Sequence, residues 1–237
     1  MSFDGITVHA LTRELNEALK GGRIVKIAQP HPEELIITVK NNGSKYLLLM
    51  NANASLPLIY LTETNEVSPL KAPGFLMLLR KYIGSGIIEE VSQPGLERVV
   101  CLHIRHLDEM GDEAYKNLYI EIMGKYSNII FTDNEGKILD SIKRVGANTS
   151  SVREVLPGRD YFIPAQADKY NPLKNVLRLG VSVPDGPLYP PVDLRKVLRD
   201  GFALRVNQAD HKLRLGRALL RAKPVQATWR AWHLVAR

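Results

Sequence analysis

A single cysteine, Cys101, in 237 residues excludes an intrachain disulfide and argues against a small secreted fold stapled by bridges. No window approaches the roughly 18 consecutive apolar residues that a membrane helix requires. The opening Met1-Ser2-Phe3-Asp4-Gly5 lacks the basic and apolar regions of a secretory signal, so the expected address is the cytoplasm, away from membranes. Phosphate-cradling loops are missing too. Neither Gly21-Gly22 nor Gly84-Ser85-Gly86 has the glycine timing of a P-loop or a dinucleotide fingerprint. No Gly-x-Ser-x-Gly elbow occurs, and the six histidines form no pattern that marks a base for a serine or for Cys101. No catalytic residue is therefore expected.

Metal chemistry has one weak candidate in Cys101, His103 and His106, the first and second of which would share a strand face. Without a second ligand pair elsewhere, a buried thiol beside a strand histidine is the better reading, and neither a metal nor a cofactor is expected. Glu89-Glu90 and Asp108-Glu109 read as a solvated strand end and a loop, since nothing sets them as an acid and base pair.

What is present is a chain with 45% apolar residues, enough to bury one large core, and a formal charge of +7. The charge is very uneven. Residues 1–170 hold 19 Lys+Arg against 21 Asp+Glu, whereas residues 171–237 hold 13 Lys+Arg against four Asp and no Glu. The excess positive charge thus sits wholly in the tail and says nothing about the partners of the first 170 residues.

Val8, Leu11, Leu15, Ala18 and Leu19 recur at helical spacing and Gly21-Gly22 follows, which predicts an opening amphipathic helix. Arg23–Ala28, Glu34–Lys40 and Ser44–Met50 read as strands, the last two joined by Asn41-Asn42-Gly43, residues that tolerate the positive φ of a tight hairpin. Pro73 suits the first turn of a helix over Phe75–Ile83, with Arg80 and Lys81 near its end. Five more strands are predicted at Ile87–Val91, Arg98–Ile104, Asn117–Met123, Ser127–Thr132 and Lys137–Ile142. Runs of strands with helices to one side specify an α+β fold, an antiparallel sheet or sandwich core with flanking helices. In the tail, Pro184-Asp185-Gly186-Pro187 and Pro190-Pro191 interrupt the chain, and Arg195–Arg205 and Lys212–Ala222 are candidate basic helices. The expected division is a domain over 1–170 and a basic, proline-broken tail over 171–237.

Two segments resist a purely structural reading. Glu97-Arg98 is an opposite-charge pair at the mouth of an apolar strand, and Glu121 lies inside the apolar run Leu118–Met123, where an unpaired buried carboxylate is costly. Alternation puts Tyr119, Glu121 and Met123 on one face and Leu118, Ile120 and Ile122 on the other. Glu121 therefore either meets a cation, with Arg98 the candidate, or lines a polar ligand site.

These segments carry a resemblance. Phe3-Asp4-Gly5, Gly21-Gly22-Arg23-Ile24, Met77-Leu78-Leu79-Arg80-Lys81, Glu97-Arg98, Glu121-Ile122-Met123-Gly124-Lys125, Ser127-Asn128 and Leu156-Pro157-Gly158 occur in an order that resembles the N-terminal domain of the NFACT family, over about residues 1–170. That resemblance implies an RNA-binding factor of ribosome quality control. Such a factor would bind the large (50S) ribosomal subunit carrying an obstructed peptidyl-tRNA and recruit tRNA, alanine tRNA in bacteria, for untemplated C-terminal tailing. The ribosome would supply the chemistry. It places the tRNA or RNA contacts on Glu97, Arg98, Glu121, Ile122, Met123 and Lys125, with further basic contacts at Arg23, Arg80 and Lys81. Glu97 departs from the family's Asp-Arg pair by one methylene, which shifts any closely fitted contact there. The resemblance also implies a fold similar to the N-terminal domain of formamidopyrimidine-type DNA glycosylases, whose N-terminal proline nucleophile has no counterpart in Met1-Ser2-Phe3. The name carried by streptococcal relatives suggests a second partner, a host matrix protein bound by a surface adhesin. The tail matches nothing in the family, and its loss of Glu after Glu154 suggests a frameshifted or truncated gene.

Overall fold

The computed structural model describes residues 4–63, 72–150 and 153–164, together with a two-residue antiparallel ladder between Val192–Asp193 and Gln226–Ala227. The two tail helices predicted above lie outside the described residues.

Helix α1 (Gly5–Leu19) starts behind Asp4, whose side chain accepts a 2.8 Å hydrogen bond from the Thr7 amide and so satisfies one orphan donor of the first turn. It buries Val8, Thr12, Leu15 and Leu19, one face at spacings of three and four. Gly21, at φ +80°, then reverses the chain and donates to the Ile88 carbonyl at 2.7 Å. Nine strands follow in chain order: β1 (Arg23–Ala28), β2 (Glu34–Asn41), β3 (Ser44–Asn51), β4 (Leu58–Thr62), β5 (Ile87–Ser92), β6 (Val99–Leu107), β7 (Glu113–Glu121), β8 (Asn128–Asp133) and β9 (Ile138–Ser141). Helix α2 (Gly74–Ile83) lies between β4 and β5 in sequence.

The strands form one sheet, ordered β4-β3-β2-β1-β5-β6-β7-β8-β9, antiparallel at every step. The α+β class and the antiparallel core with flanking helices follow the sequence reading. The seam between the two halves is thin: β1 meets β5 at the single register pair Arg23 and Ile87. Helix α2 covers the rest of that seam, and Arg80 donates from Nε and Nη2 to the Ile27 carbonyl at 3.1 and 2.9 Å, supplying the donors that a fuller ladder would have given. Both helices bury their apolar faces with Ile24, Ile37, Leu48, Ile59, Val100, Ile104, Ile120 and Phe131 from both halves of the sheet, in one core. Beyond β9, Lys143 donates to the Ala52 carbonyl at 2.7 Å and lies 3.5 Å from Glu33, which ties the two ends of the sheet together.

Three differences from the sequence reading have physical causes. Strand β4 is missed because its run Leu58–Thr62 is apolar without alternation, a pattern shared by buried strands and short helices. The hairpin β6–β7 extends through Arg105 and Tyr115 to Leu107 and Glu113, where a polar stretch suggested a loop. Its outer face is solvated, and Arg105 bonds Glu89 and Glu113, both at 2.7 Å, across the neighbouring strands. Finally, α1 begins three residues earlier than its first predicted apolar position, because Asp4 rather than periodicity sets its start.

Candidate functional site

The sheet end at which β6 begins and β7 finishes gathers most of the residues singled out in sequence. Val99 pairs with Glu121, and the Arg98 carbonyl accepts the Ile122 amide at 2.8 Å, so Glu97-Arg98 and Glu121-Ile122-Met123 are adjacent. The start of α1 abuts the same place. Gln93 Nε2 donates to the Gly5 carbonyl at 2.9 Å and to the Glu97 carbonyl at 2.7 Å, clamping the 93–97 loop onto the helix. A Cβ on Gly5 would stand 2.1 Å from the Leu96 carbonyl oxygen, so only glycine permits this approach. Gly124, at φ +60°, opens a single 3-10 turn, Gly124–Tyr126, closed by the Met123 amide donating to Ser127 Oγ at 2.8 Å. That turn presents Lys125 and Tyr126 outward, with Lys125 Nζ 4.8 Å from the centre of the Tyr126 ring, and Tyr126 is 66% exposed.

Glu121 has a partner, but it is not Arg98. The Glu121 side chain is fully buried on the outer face of the sheet, where Arg153 Nη2 pairs with Oε2 and the Tyr161 hydroxyl donates to Oε1 at 3.0 Å. Both groups come from residues 153–163, which together with residues 145–150 cross back over β7, β8 and β9 as a strap. Val145 and Val155 exchange backbone hydrogen bonds, Gly158 donates to the Ile138 carbonyl, and Tyr161 donates to the Gly136 carbonyl. Beneath the strap, Val155 packs with Ile130 and Ile138, and Tyr161 stacks on Tyr119 with ring centres 4.2 Å apart. Arg153 completes the arrangement by donating from Nη1 to the Phe162 carbonyl at 2.6 Å. Burial, then the adjacent Glu121 carboxyl, pushes the Tyr161 phenol well above its ordinary range, which keeps it protonated as the donor. The internal ion pair weighed in sequence is therefore present with a different cation. Arg98 itself is half-buried, and its guanidinium makes no hydrogen bond or ion pair among the described residues.

The named residues thus fall into groups. Arg98, Lys125 and half-buried Met123 lie at the sheet end, with half-buried Glu97 beside them, while Glu121 and Ile122 are buried, Glu121 under the strap and Ile122 in the main core. Arg80 is committed to the Ile27 carbonyl and Arg23 donates to the Ser85 carbonyl at 3.0 Å. Lys81 bonds exposed Glu109 at 2.9 Å, a contact that raises its pKa. None of these three is next to Arg98 in the sheet. Sequence reading missed Arg153, Tyr161 and Tyr126. The only signal for the first two was that a buried Glu needs a cation, and the strap that supplies it lies 32 and 40 residues away.

Cys101, His103 and His106 are divided between the two faces of β6. On the outer face His103 Nδ1 and Asn117 Oδ1 are 2.7 Å apart, with Cys101 Sγ also directed at Asn117 Oδ1; His106 faces α2, edge-on to Tyr82. A separate cleft of about 430 Å³ lies among Gln29, His31, Phe75, Asp140 and Arg144. There the Arg144 guanidinium makes two 3.0 Å bonds to Asp140, so its charge is matched within the cleft wall.

The architecture defines an α+β class of protein, a nine-stranded antiparallel sheet around two helices with a strap over its outer face, and solved structures are similar to it. The chain is similar to the N-terminal domain of fibronectin-binding protein PavA from Streptococcus pneumoniae at 37% identity and a TM-score of 0.68, covering 75% of this chain and 69% of that one. It is similar also to the N-terminal part of the fibronectin/fibrinogen-binding protein from Streptococcus suis, at 30% identity and a TM-score of 0.70, covering 96% and 92% of the two chains. The model for NFACT N-terminal and middle domains matches residues 4–178, and the chain belongs to that family. Among curated relatives it is 43% identical over 175 residues to the Rqc2 homolog RqcH of Bacillus subtilis, and 40% identical over 173 residues to that of Streptococcus suis. In each comparison the matched region is 73% of this chain and 31% of the relative, so the chain spans about a third of the length of those proteins.

Proposed function

We propose that this chain is a non-enzymatic RNA-binding domain of ribosome quality control, acting in the cytoplasm. It binds large ribosomal subunits that carry an obstructed nascent chain and helps recruit tRNA for untemplated tailing, alanine tailing by family likeness. The observation that carries the reading is the sheet end where Arg98, with a guanidinium unpartnered among the described residues, lies beside the turn that exposes Lys125 and Tyr126. An unmatched guanidinium suits a phosphate, and an exposed tyrosine under a cation suits a stacked base. Membership of the NFACT family and similarity to Rqc2 homologs support the ribosomal setting. Glu121 and Ile122 serve this site from inside: their ladder and strap contacts fix the strand end on which Arg98 and the 124–126 turn are mounted.

Affinity capture of the full chain from its native cells, followed by quantification of 50S subunits and tRNA, tests the reading. Wild type retains both, whereas Arg98→Ala and Lys125→Ala lose tRNA and keep their melting temperature. Capture of neither RNA by wild type overturns it. The names of the two streptococcal neighbours favour one further reading, adhesion to fibronectin. Saturable fibronectin binding by the purified chain, with no retention of RNA, would establish that reading instead.

A further inference from the structure

A second cationic surface lies at the far end of the sheet. In the ladder, Arg23 on β1 stands directly opposite Lys40 on β2, and Lys40 directly opposite Lys45 on β3. Directly paired residues share a face, and the next residues inward, Ile24, Val39 and Tyr46, pack into or against the main core. The three cations therefore form an outward row across three adjacent strands, and all three are exposed. Lys26, paired with Thr38, adds an exposed cation in the next row.

Among the described residues this surface has no acidic counterweight. Strands β1, β2 and β3 contain one acidic residue, Glu34, buried at the other end of β2 beside Asn51. Lys40 and Lys45 have no acidic partner among the described residues. Like charges facing each other across a ladder are destabilising, in contrast to Arg105 on β6, which the same fold matches with two glutamates. With strands about 4.8 Å apart, the row runs about 10 Å from Arg23 to Lys45.

From this placement we infer that the exposed end of the outer face of β1–β3, where Arg23, Lys26, Lys40 and Lys45 stand beyond the buried apolar cluster of Ala28, Ile36, Leu47 and Leu49, is a docking surface for an RNA phosphodiester backbone. The inference rests on the RNA-binding reading given above and extends it to a second site. The chemistry selects the partner. A flat row of point charges matches a repeating phosphate chain, and a row without an aromatic residue gives no means of reading bases, so binding here is independent of sequence. A lipid surface is disfavoured because the row offers no large apolar side chain to insert besides Val25, which is 42% exposed. Arg105 and Arg98 are seven residues apart on β6 and its entry, roughly 23 Å of strand, and Arg105 lies in the cross-strand row of Arg23. The two sites therefore grip separate stretches of RNA.

Titration of the full chain with fluorescent tRNA, with poly(U) and with vesicles of anionic phospholipid over a range of salt tests the inference, using Lys40→Gln/Lys45→Gln with Arg98→Ala for comparison and thermal melts as the folding control. The double variant should weaken both RNAs alike, by tenfold or more at low salt, and lower the slope of log K against log salt by about 1.4 to 1.8, the loss of two phosphate contacts. An unchanged slope overturns the inference, as does a loss confined to vesicles of anionic phospholipid. If wild type binds RNA and Arg98→Ala alone loses tRNA, only this second site is refuted. If wild type binds neither RNA, both readings fall together.

Discussion

Cutting the strap's anchor should be the most damaging single change outside the apolar core. Glu121 is 0% exposed and the Arg153 side chain 10% exposed, so Arg153→Ala leaves a carboxylate buried with only the Tyr161 hydroxyl as a partner. Removing one member of a buried pair commonly costs about 3–5 kcal/mol, because the desolvation cost remains after the attraction has gone. For a chain of this size each kcal/mol lowers Tm by about 2–4 °C, giving an expected fall of about 6 to 20 °C. Replacing both members with apolar groups, as in Glu121→Leu/Arg153→Leu, should cost clearly less than Arg153→Ala, since no charge is then stranded. Tyr161→Phe removes one hydrogen bond to a charged group and should cost about 1.5–3 kcal/mol. Urea melts of the four proteins, with hydrogen exchange of the amides of Val155, Gly158 and Tyr161, give the readout. The strap amides should lose protection in Arg153→Ala before the β2–β3 amides do. If Arg153→Ala costs under about 1 kcal/mol, or if the double variant is the least stable of the set, the electrostatic account of the anchor is wrong.

Burial, and secondarily Glu17, raises the Glu14 carboxyl to about 7, so folding favours its protonated form. Its contribution is complete below the ordinary carboxylate value and is lost as pH rises through about 7; discounted for partial exposure, the loss is about 1–2 kcal/mol. Glu14→Gln should accordingly raise Tm at pH 8 and leave it unchanged at pH 4, which scanning calorimetry at the two pH values checks. Gly5→Ala drives a methyl into the Leu96 carbonyl and should displace the loop carrying Glu97-Arg98; tRNA affinity should fall more than the β2–β3 exchange rates rise. The Cys101 thiol is buried and pushed up to about 12, so a disulfide reagent at pH 8 should modify it only at the rate of unfolding, becoming fast in denaturant.

The fold was legible in sequence wherever the pattern was local. Asn42, at φ +47°, and Gly43, at φ +75°, turn the β2–β3 hairpin as their residue types require. The alternation in β7 placed Ile120 and Ile122 in the core and Tyr119 and Glu121 on the opposite face, as the packing bears out. What stayed hidden was non-local. Alternation says which face a residue takes but not what covers that face, and the cover over Glu121 arrives from residues 153–163, a stretch that has no period to read. Arg98 was the nearest cation in the pattern, adjacent across the ladder, and adjacency made it the natural candidate. Side-chain facing decided otherwise, because Arg98 meets Ile122 through its backbone, while Arg153 descends on the Glu121 carboxylate from above the sheet.

That substitution of partners changes how the two motifs relate to function. Were Arg98 bound to Glu121, the pair would neutralise itself and neither group would be available to a ligand. With Arg153 and Tyr161 satisfying Glu121, the internal charge is matched without spending the cation at the strand mouth. With 19 basic and 21 acidic residues over 1–170, the RNA binding proposed above would rest not on net charge but on particular cations left unmatched. Arg98 at one end of the sheet and the Arg23, Lys40 and Lys45 row at the other are cations without an acidic partner among the described residues. Binding built on so few local charges should depend steeply on each of them. Measured at equal salt, a single neutralisation at Arg98 should therefore cost more affinity than neutralising any exposed cation already paired with an acid, such as Arg13 with Glu17 or Lys137 with Asp160.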